Sequence, residues 1–496
     1  MRTQISDIVK AGGLLLLLLF IAFPGHSAPQ ILLKPVVGKI SFARGSAAAQ
    51  RPGETPRILG KDTEIFQGDN IQTTERSFVI IEFTDGAKIT VRPNSSFSID
   101  QYDAQSKNPK AQLSLHEGGV RASSGEIAKQ NPENFQLKTE LATVKAQQAD
   151  YSIRLCKADC EQENSQTPSG AQAGSAPVKT DQSVIARVAD IKGDVVAKNH
   201  GDKNAKERRL SLGGPLYSQD YLHSGKDSYA LMVFRDGEKI TLQADSEMDI
   251  AEYHFQQTGA KDHALYRLTT GGMRALTGSI GKTDKDAYAV ETPVGTIGIR
   301  GTGFDLSCVG DCVDGTGDNR RRALNELSEG LYTHVWQGQI ALTNETGEHL
   351  LTMPDSHYIA SPRSDILNFP NLPETLFNNL TPRPDRNSTN IQKLFSTQTP
   401  KGTPQGLYVT VHNGHIKLDN NTEKGAEEAT MDLGKDEVGH VSPQKNITRL
   451  AQQPSFQTQD AYPLPDQFNE QQAHTGIGSL LNENGDTEGG DACQNP

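Results

Sequence analysis

Residues 66–102 read FQGDNIQTTERSFVIIEFTDGAKITVRPNSSFSIDQY, and residues 217–253 read YSQDYLHSGKDSYALMVFRDGEKITLQADSEMDIAEY. The two stretches align without a gap and agree at eleven of 37 positions. Such self-similarity means that one folding unit is built twice. Shared residues include Asp69/Asp220, Ser77/Ser228, Phe83/Phe234, Asp85-Gly86/Asp236-Gly237 and the Lys-Ile-Thr triplets at 88–90 and 239–241. The correspondence continues through Gly45 opposite Gly193 upstream and Gly118-Gly119 opposite Gly271-Gly272 downstream. It ends at Cys156-x3-Cys160 and Cys308-x3-Cys312. Each copy is therefore about 120–130 residues long, the size of one domain.

Alternation within the repeat decides the secondary structure. A two-residue Asp85-Gly86 turn would pair Phe83 with Lys88 and mix apolar and charged side chains on each face. A three-residue loop, Thr84-Asp85-Gly86, pairs Phe83 with Ala87, Ile81 with Ile89 and Val79 with Val91. One face is then apolar, and Glu82 stands opposite Lys88 on the other. That register predicts a type I turn with a left-handed glycine at Gly86, and at Gly237 in the second copy. Strand patterns of this kind recur along the chain and helical periodicity is nearly absent, so the fold is expected to be all-β.

A shorter repeat follows: 330–342 (GLYTHVWQGQIAL) and 406–418 (GLYVTVHNGHIKL) agree at seven of thirteen positions. Each reads as a strand, a glycine-centred turn and a second strand, a β-hairpin repeat. The expected organisation is two β domains at 31–160 and 184–360, joined by a polar linker at 161–183. An extended connector at 361–405, a hairpin segment at 406–442 and a disordered tail at 443–496 complete it.

Composition narrows the function classes. The 496 residues carry 49 Lys plus Arg against 61 Asp plus Glu, a net charge of -12. Such a chain is repelled by phosphates, so nucleic acid is a poor partner. Arg2 and Lys10 precede an apolar run from Leu14 to Phe23, closed by Pro24-Gly25 and the small residues Ser27 and Ala28. The run is too short to span a bilayer and has the form of a secretory leader, 1–28, with an uncleaved anchor as the other reading. Export with no transmembrane span in the mature chain is expected, to the periplasm or beyond.

Export favours oxidation, so Cys156/Cys160 and Cys308/Cys312 are expected to form local disulfides; one zinc site from all four is the weaker alternative. Cys493 is left over. Thr277–Thr283 (TGSIGKT) lacks the first glycine of a phosphate-binding loop, Leu276 standing in its place, and reads as a turn. His412 and His415 flank Asn413-Gly414 and read as exposed turn residues, and Asp311, Asp314 and Asp318 as a solvated acidic loop. No catalytic motif, metal site or cofactor site is expected.

Residues 288–306, YAVETPVGTIGIRGTGFDL, resemble the signature of FecR-type domains through Val290, Thr292, Pro293, Gly295, Ile297, Ile299, Arg300, Gly301, Thr302 and Phe304. The upstream block of that family is matched by Gly68, Asp69, Ile71, Thr73, Ser77, Val79, Ile81, Phe83, Asp85 and Gly86. In the second copy Asp220, Leu222, Ser228, Phe234, Asp236 and Gly237 match it. The first copy departs at the signature, with Gln147-Gln148 where the second has Arg300-Gly301. The resemblance implies tandem FecR-type β domains and an envelope protein partner, with Arg300, Gly301 and Thr302 as its contact turn or as a structural turn. The family's founding role passes a ligand signal from an outer-membrane receptor to a sigma factor, using a cytoplasmic part. Only about ten residues precede the apolar run here, so binding, scaffolding or sensing without anti-sigma activity is expected. The alternative is a structural envelope protein using the β modules as spacers. Neither reading fixes the oligomeric state.

Overall fold

The apolar faces at 78–91 close as the alternation requires. In the computed structural model, Val79 pairs with Val91, Ile81 with Ile89 and Glu82 with Lys88. Gly86, at φ +83°, donates its N–H to the Phe83 carbonyl, and the Phe83 N–H reaches Ala87 at 2.8 Å. The second copy repeats this with Gly237 at φ +89°. The structure describes residues 35–458 apart from 158, 161–183, 204, 257–260, 300, 314–326, 370, 372, 374–375, 377–380 and 422–428. The expected leader, the linker, Cys493, Asp314, Asp318 and most of the tail lie outside the described residues.

Strand accounts for 56% and helix for 7% of the structure, so the fold is all-β. The strands form one network of 15 and one of 17, each centred on one copy of the repeat. Within each copy two layers share one core, because several strands serve both. In the second copy His263–Leu276 pairs first with Ser246–His254 and then, past Gly271 at φ +75°, with Lys239–Leu242 and Gly303–Val309. A left-handed residue turns the strand out of one layer into the other, as at the corners of orthogonally packed sheets.

The same device corrects the expected hairpins. Gly330–Gln337 and Gln339–Asn344 pair outward, the first with Gly303–Val309 and Ser356–Ile359, the second with Gly295–Ile299 and Gly347–Thr352. Their counterpart Gly406–Asn420 is one continuous strand. Gly338 (φ +70°) and Gly414 (φ +73°) are layer crossings, and the chain does not double back there.

Nor does the second short repeat stand apart. Gly406–Asn420 lies antiparallel along the whole of Ala142–Cys156, from Ala142 opposite Asn420 to Cys156 opposite Gly406. It is followed by Thr430–Gly434, Val438–Val441 and Ile447–Leu450. In the second copy the equivalent strands follow directly, from Gly330 to Phe369. The second copy is thus inserted into the first. The physical reason is an apolar edge: Val144, Tyr151 and Ile153 would be half covered without Leu407, Val409 and Ile416, which join their core. The strand Ile447–Leu450 and the helix Ser455–Thr458 fall within the stretch expected to be loose.

Residues 381–398, between the second copy and Gly406, form a strap. The Thr381 carbonyl accepts from Arg274 at 2.8 Å and the Pro382 carbonyl from Thr241 at 2.9 Å, while Lys239 donates to Asn387. Gln398 then bridges to Leu450 of the first network.

Candidate functional site

Residues identical in both copies turn out to hold the strands. Asp69 and Asp220 are fully buried. Arg57 donates to Asp69 at 2.9 Å and Arg208 to Asp220 at 3.2 Å, while the N–H groups of Phe66 and Tyr217 reach the same carboxylates. Ser77 and Ser228 accept from the Ser46 and Asp194 N–H groups. Asp85 takes the N–H of Ala87 and Ile127, and Asp236 those of Glu238 and Ile280. Ile280 lies in the TGSIGKT stretch, which forms the short helix Ser279–Thr283 and spends that N–H on a carboxylate of its own chain.

The four cysteines pair locally, Cys156 with Cys160 and Cys308 with Cys312, at Cα separations of 5.5 and 4.4 Å. Gly310 and Cys312, both at positive φ, supply the bend in the second. Arg300 lies outside the described residues. Gly301, at φ +70°, is a layer crossing between Gly295–Ile299 and Gly303–Val309. Thr302 is buried, its N–H on the Thr277 hydroxyl at 3.0 Å and its carbonyl on the Thr277 N–H. It holds the turn from inside.

In the first copy the crossing residue is Gln148, a non-glycine at φ +46°. Left-handed backbone strains a residue with a Cβ, and such strain collects at functional positions. Gln148 lines a cleft of about 260 Å³ between the copies, near the lower bound of small-ligand sites. Gln147, Asn413 and Gly414 share the first copy's wall with Lys435 and Asp436. Asn199, Asp202, Lys206, Glu207, Arg208 and Tyr217 form the opposite wall. The lining carries three cationic and three anionic side chains, so the cleft suits a polar, electrically balanced partner such as a peptide segment. Burial opposes the charge of Arg208 but Asp220 outweighs it, so its pKa is raised; burial also lifts the Asp436 carboxyl and the Tyr217 phenol.

Beneath the cleft the copies are joined by buried charge. Arg187, fully buried, pairs with Glu437 and donates to the Gly213 carbonyl at 3.1 Å. Arg449 lies 3.4 Å from Glu437 and donates to the Asp432 carbonyl at 2.8 Å. Ser211 donates to the Asp432 carboxylate, which also pairs with His415. The Gln147 amide, oriented to satisfy both groups, bonds the N–H and carbonyl of Arg209. His415 is therefore buried, not an exposed turn residue, because the crossing at Gly414 turns it inward. His412 bonds Ser152 at 2.8 Å, so the two histidines serve different partners. Sequence reasoning missed Arg187, Asp432, Glu437 and Arg449. Their signal is weak: Arg187, Asp432 and Arg449 are charges in strands and Glu437 one in a turn, all at positions that could equally be solvent-facing.

Comparison with known proteins bears on this architecture. Residues 69–167 and 220–322 match the family model described as FecR protein. Each copy of the repeat thus holds a segment similar to the FecR family, the two together less than half of the chain. Both matches end before the strands, Gly330–Phe369 and Gly406–Leu450, that complete each β domain. Two crystal structures of a proposed anti-sigma factor from Parabacteroides distasonis are similar over 30% of this chain, with 14% and 12% identity and TM-scores of 0.22 and 0.21. The chain spans 58% of the length of those neighbours. No curated protein matches the sequence. Among the described residues no helix is long and apolar enough to cross a membrane.

Proposed function

We propose that this FecR-domain protein is exported to the bacterial envelope and acts there by binding a protein partner, as a scaffold or a signal sensor, and not by catalysis. The observation that carries the reading is the pair of FecR matches on two β domains whose mutual contact is a buried ionic network. Domains joined in that way present the cleft between them as a preformed composite surface. The FecR family is regulatory, its domains are typically periplasmic, and two local disulfides suit an oxidising compartment. Within the second copy, Arg300 and Gly301 are the turn we place against a partner, with Thr302 supporting it from below.

The test is site-specific photocrosslinking in cells, with the reactive group at Asn413 in the cleft, at Arg300, and at a control position remote from both. Crosslinking of one envelope signalling protein from Asn413 or Arg300, absent from the control, is the expected result, and Arg300→Ala weakens the second of these. Crosslinks only to abundant wall or envelope proteins, equal from all three positions, would replace the reading with that of a rigid envelope spacer.

A further inference from the structure

The repeat supplies a second pair of faces equivalent to the two that meet inside the chain. Strand pairing fixes the correspondence. Arg187 faces Val233 as Lys39 faces Glu82, and Arg209 faces Val196 as Ile58 faces Ala48. The first copy therefore carries Lys39, Ile58 and Gly60 where the second carries Arg187, Arg209 and Ser211. On the other side, Lys417 faces Asp432 as Ala341 faces Leu350. Val411 bonds the Glu437 carbonyl as Val335 bonds that of Asp355. The second copy therefore carries Leu350, Met353 and Asp355 where the first carries Asp432, Lys435 and Glu437.

The chemistry of these vacant equivalents is mutually complementary. The Arg187–Glu437 pair becomes Lys39 and Asp355, again a cation against a carboxylate. The Ser211–Asp432 bond becomes Gly60 against Leu350, beside Ile58 and Met353. Ile58 is 77% exposed, Leu350 50% and Met353 55%, three of the six large apolar side chains exposed among the described residues. Apolar side chains gathered on faces that correspond to a buried contact mark an interaction surface.

We propose that the chain self-associates head to tail, the Lys39/Ile58 face of one molecule seating on the Leu350/Met353/Asp355 face of a second copy. The contact repeats between molecules the arrangement that joins the two domains within one. Because the two faces differ, the contact is heterologous, and each added molecule leaves one face open for the next. The inference does not rest on the proposed envelope partner, and its test involves no other protein.

The experiment is analytical ultracentrifugation of the full chain, expressed with its own leader and purified as the host delivers it. Wild type is compared with Ile58→Asp, with Met353→Asp, and with an equimolar mixture of the two variants. Both positions are surface sites, and circular dichroism checks that each variant keeps its β content. Wild type is expected to grow in mass with concentration beyond a dimer, and each variant alone to need at least about tenfold more protein for the same association. The mixture should recover association but stop at a dimer, because Ile58→Asp keeps one face intact and Met353→Asp the other. Equal masses for wild type and both variants at every concentration would overturn the proposal. Variants that are lighter than wild type, yet gain nothing on mixing, would overturn it as well, since that is the behaviour of a symmetric contact.

Discussion

The two copies of the repeat share a register and differ in what they do with their surfaces. Each closes the same three-residue loop at Asp85-Gly86 and Asp236-Gly237, buries the same Arg–Asp pair, and sends strands between layers at equivalent positions. The first copy, however, places Gln148 where the second has Gly301, and carries the Asp432–Glu437–Arg449 set where the second has Leu350, Asp355 and Asn368. Identity between the copies marks what the fold needs, and divergence marks where the copies touch something. In the first copy that something is the second copy.

The largest effect should come from the joint. Glu437 is 2% exposed and holds both Arg187 and Arg449, with its other oxygen accepting the Gly434 N–H at 2.9 Å. Glu437→Ala leaves two buried guanidinium groups without their carboxylate, a loss of about 3–5 kcal/mol. Denaturant unfolding should show it as a large fall in midpoint, with the two domains no longer melting together. Asp355→Ala, at the equivalent position of the second copy, should cost within about 0.5 kcal/mol in dilute solution. Similar losses for both would break the distinction between an occupied face and an open one.

A second contrast is buried in the second copy's core. Glu238 is 1% exposed, beside Tyr266 and Tyr288, where the first copy has Ala87. Burial raises its pKa well above the carboxylate range, and Asp236 adds to the shift. A carboxyl whose folded pKa is raised contributes stability that is complete below its unfolded value, near 4.3, and is lost as pH rises through the folded value. Glu238→Gln, which keeps the polar contact without the charge, should therefore stabilise the protein at neutral pH by about 1–3 kcal/mol. The gain should vanish toward pH 4. Thermal unfolding of both proteins across pH 4–8 checks this, and a difference independent of pH would mean that Glu238 is not carrying the titration.

The β class, the loop register and the doubling were legible because they depend on period-two patterns that any single strand displays. Phe83, Ile81 and Val79 announce their partners locally. The insertion of one copy into the other was not legible. The match between 330–342 and 406–418 shows that the two segments are alike, but whether each pairs with itself or completes a separate sheet depends on contacts some 260 residues apart, such as Ile153 with Val409. The same holds for the glycine in each segment, since Gly338 and Gly414 look like hairpin turns until their flanking strands find different partners. The joint was least visible of all. Arg187 and Glu437 are unremarkable charges in sequence, and only a distant partner makes their burial tolerable.

The smallest effect is also the most direct test of what the crossing residue does. Gly301 and Gln148 occupy equivalent left-handed positions, at φ +70° and +46°. A Cβ on Gly301 would meet no atom within 4 Å, so Gly301→Gln should cost only the backbone penalty, about 1–2 kcal/mol. Gln148→Gly removes that penalty but frees the unfolded chain, so the two terms nearly offset and the net gain should be about 0.5 kcal/mol or less. Stability alone would then leave the glutamine without a reason to be there. If the cleft is a binding surface, Gln148→Gly should leave unfolding almost unchanged while abolishing the crosslink formed from Asn413. A glycine variant that crosslinks like the parent would assign Gln148 to the fold alone, and the divergence between the copies at this crossing would mark the joint and no partner.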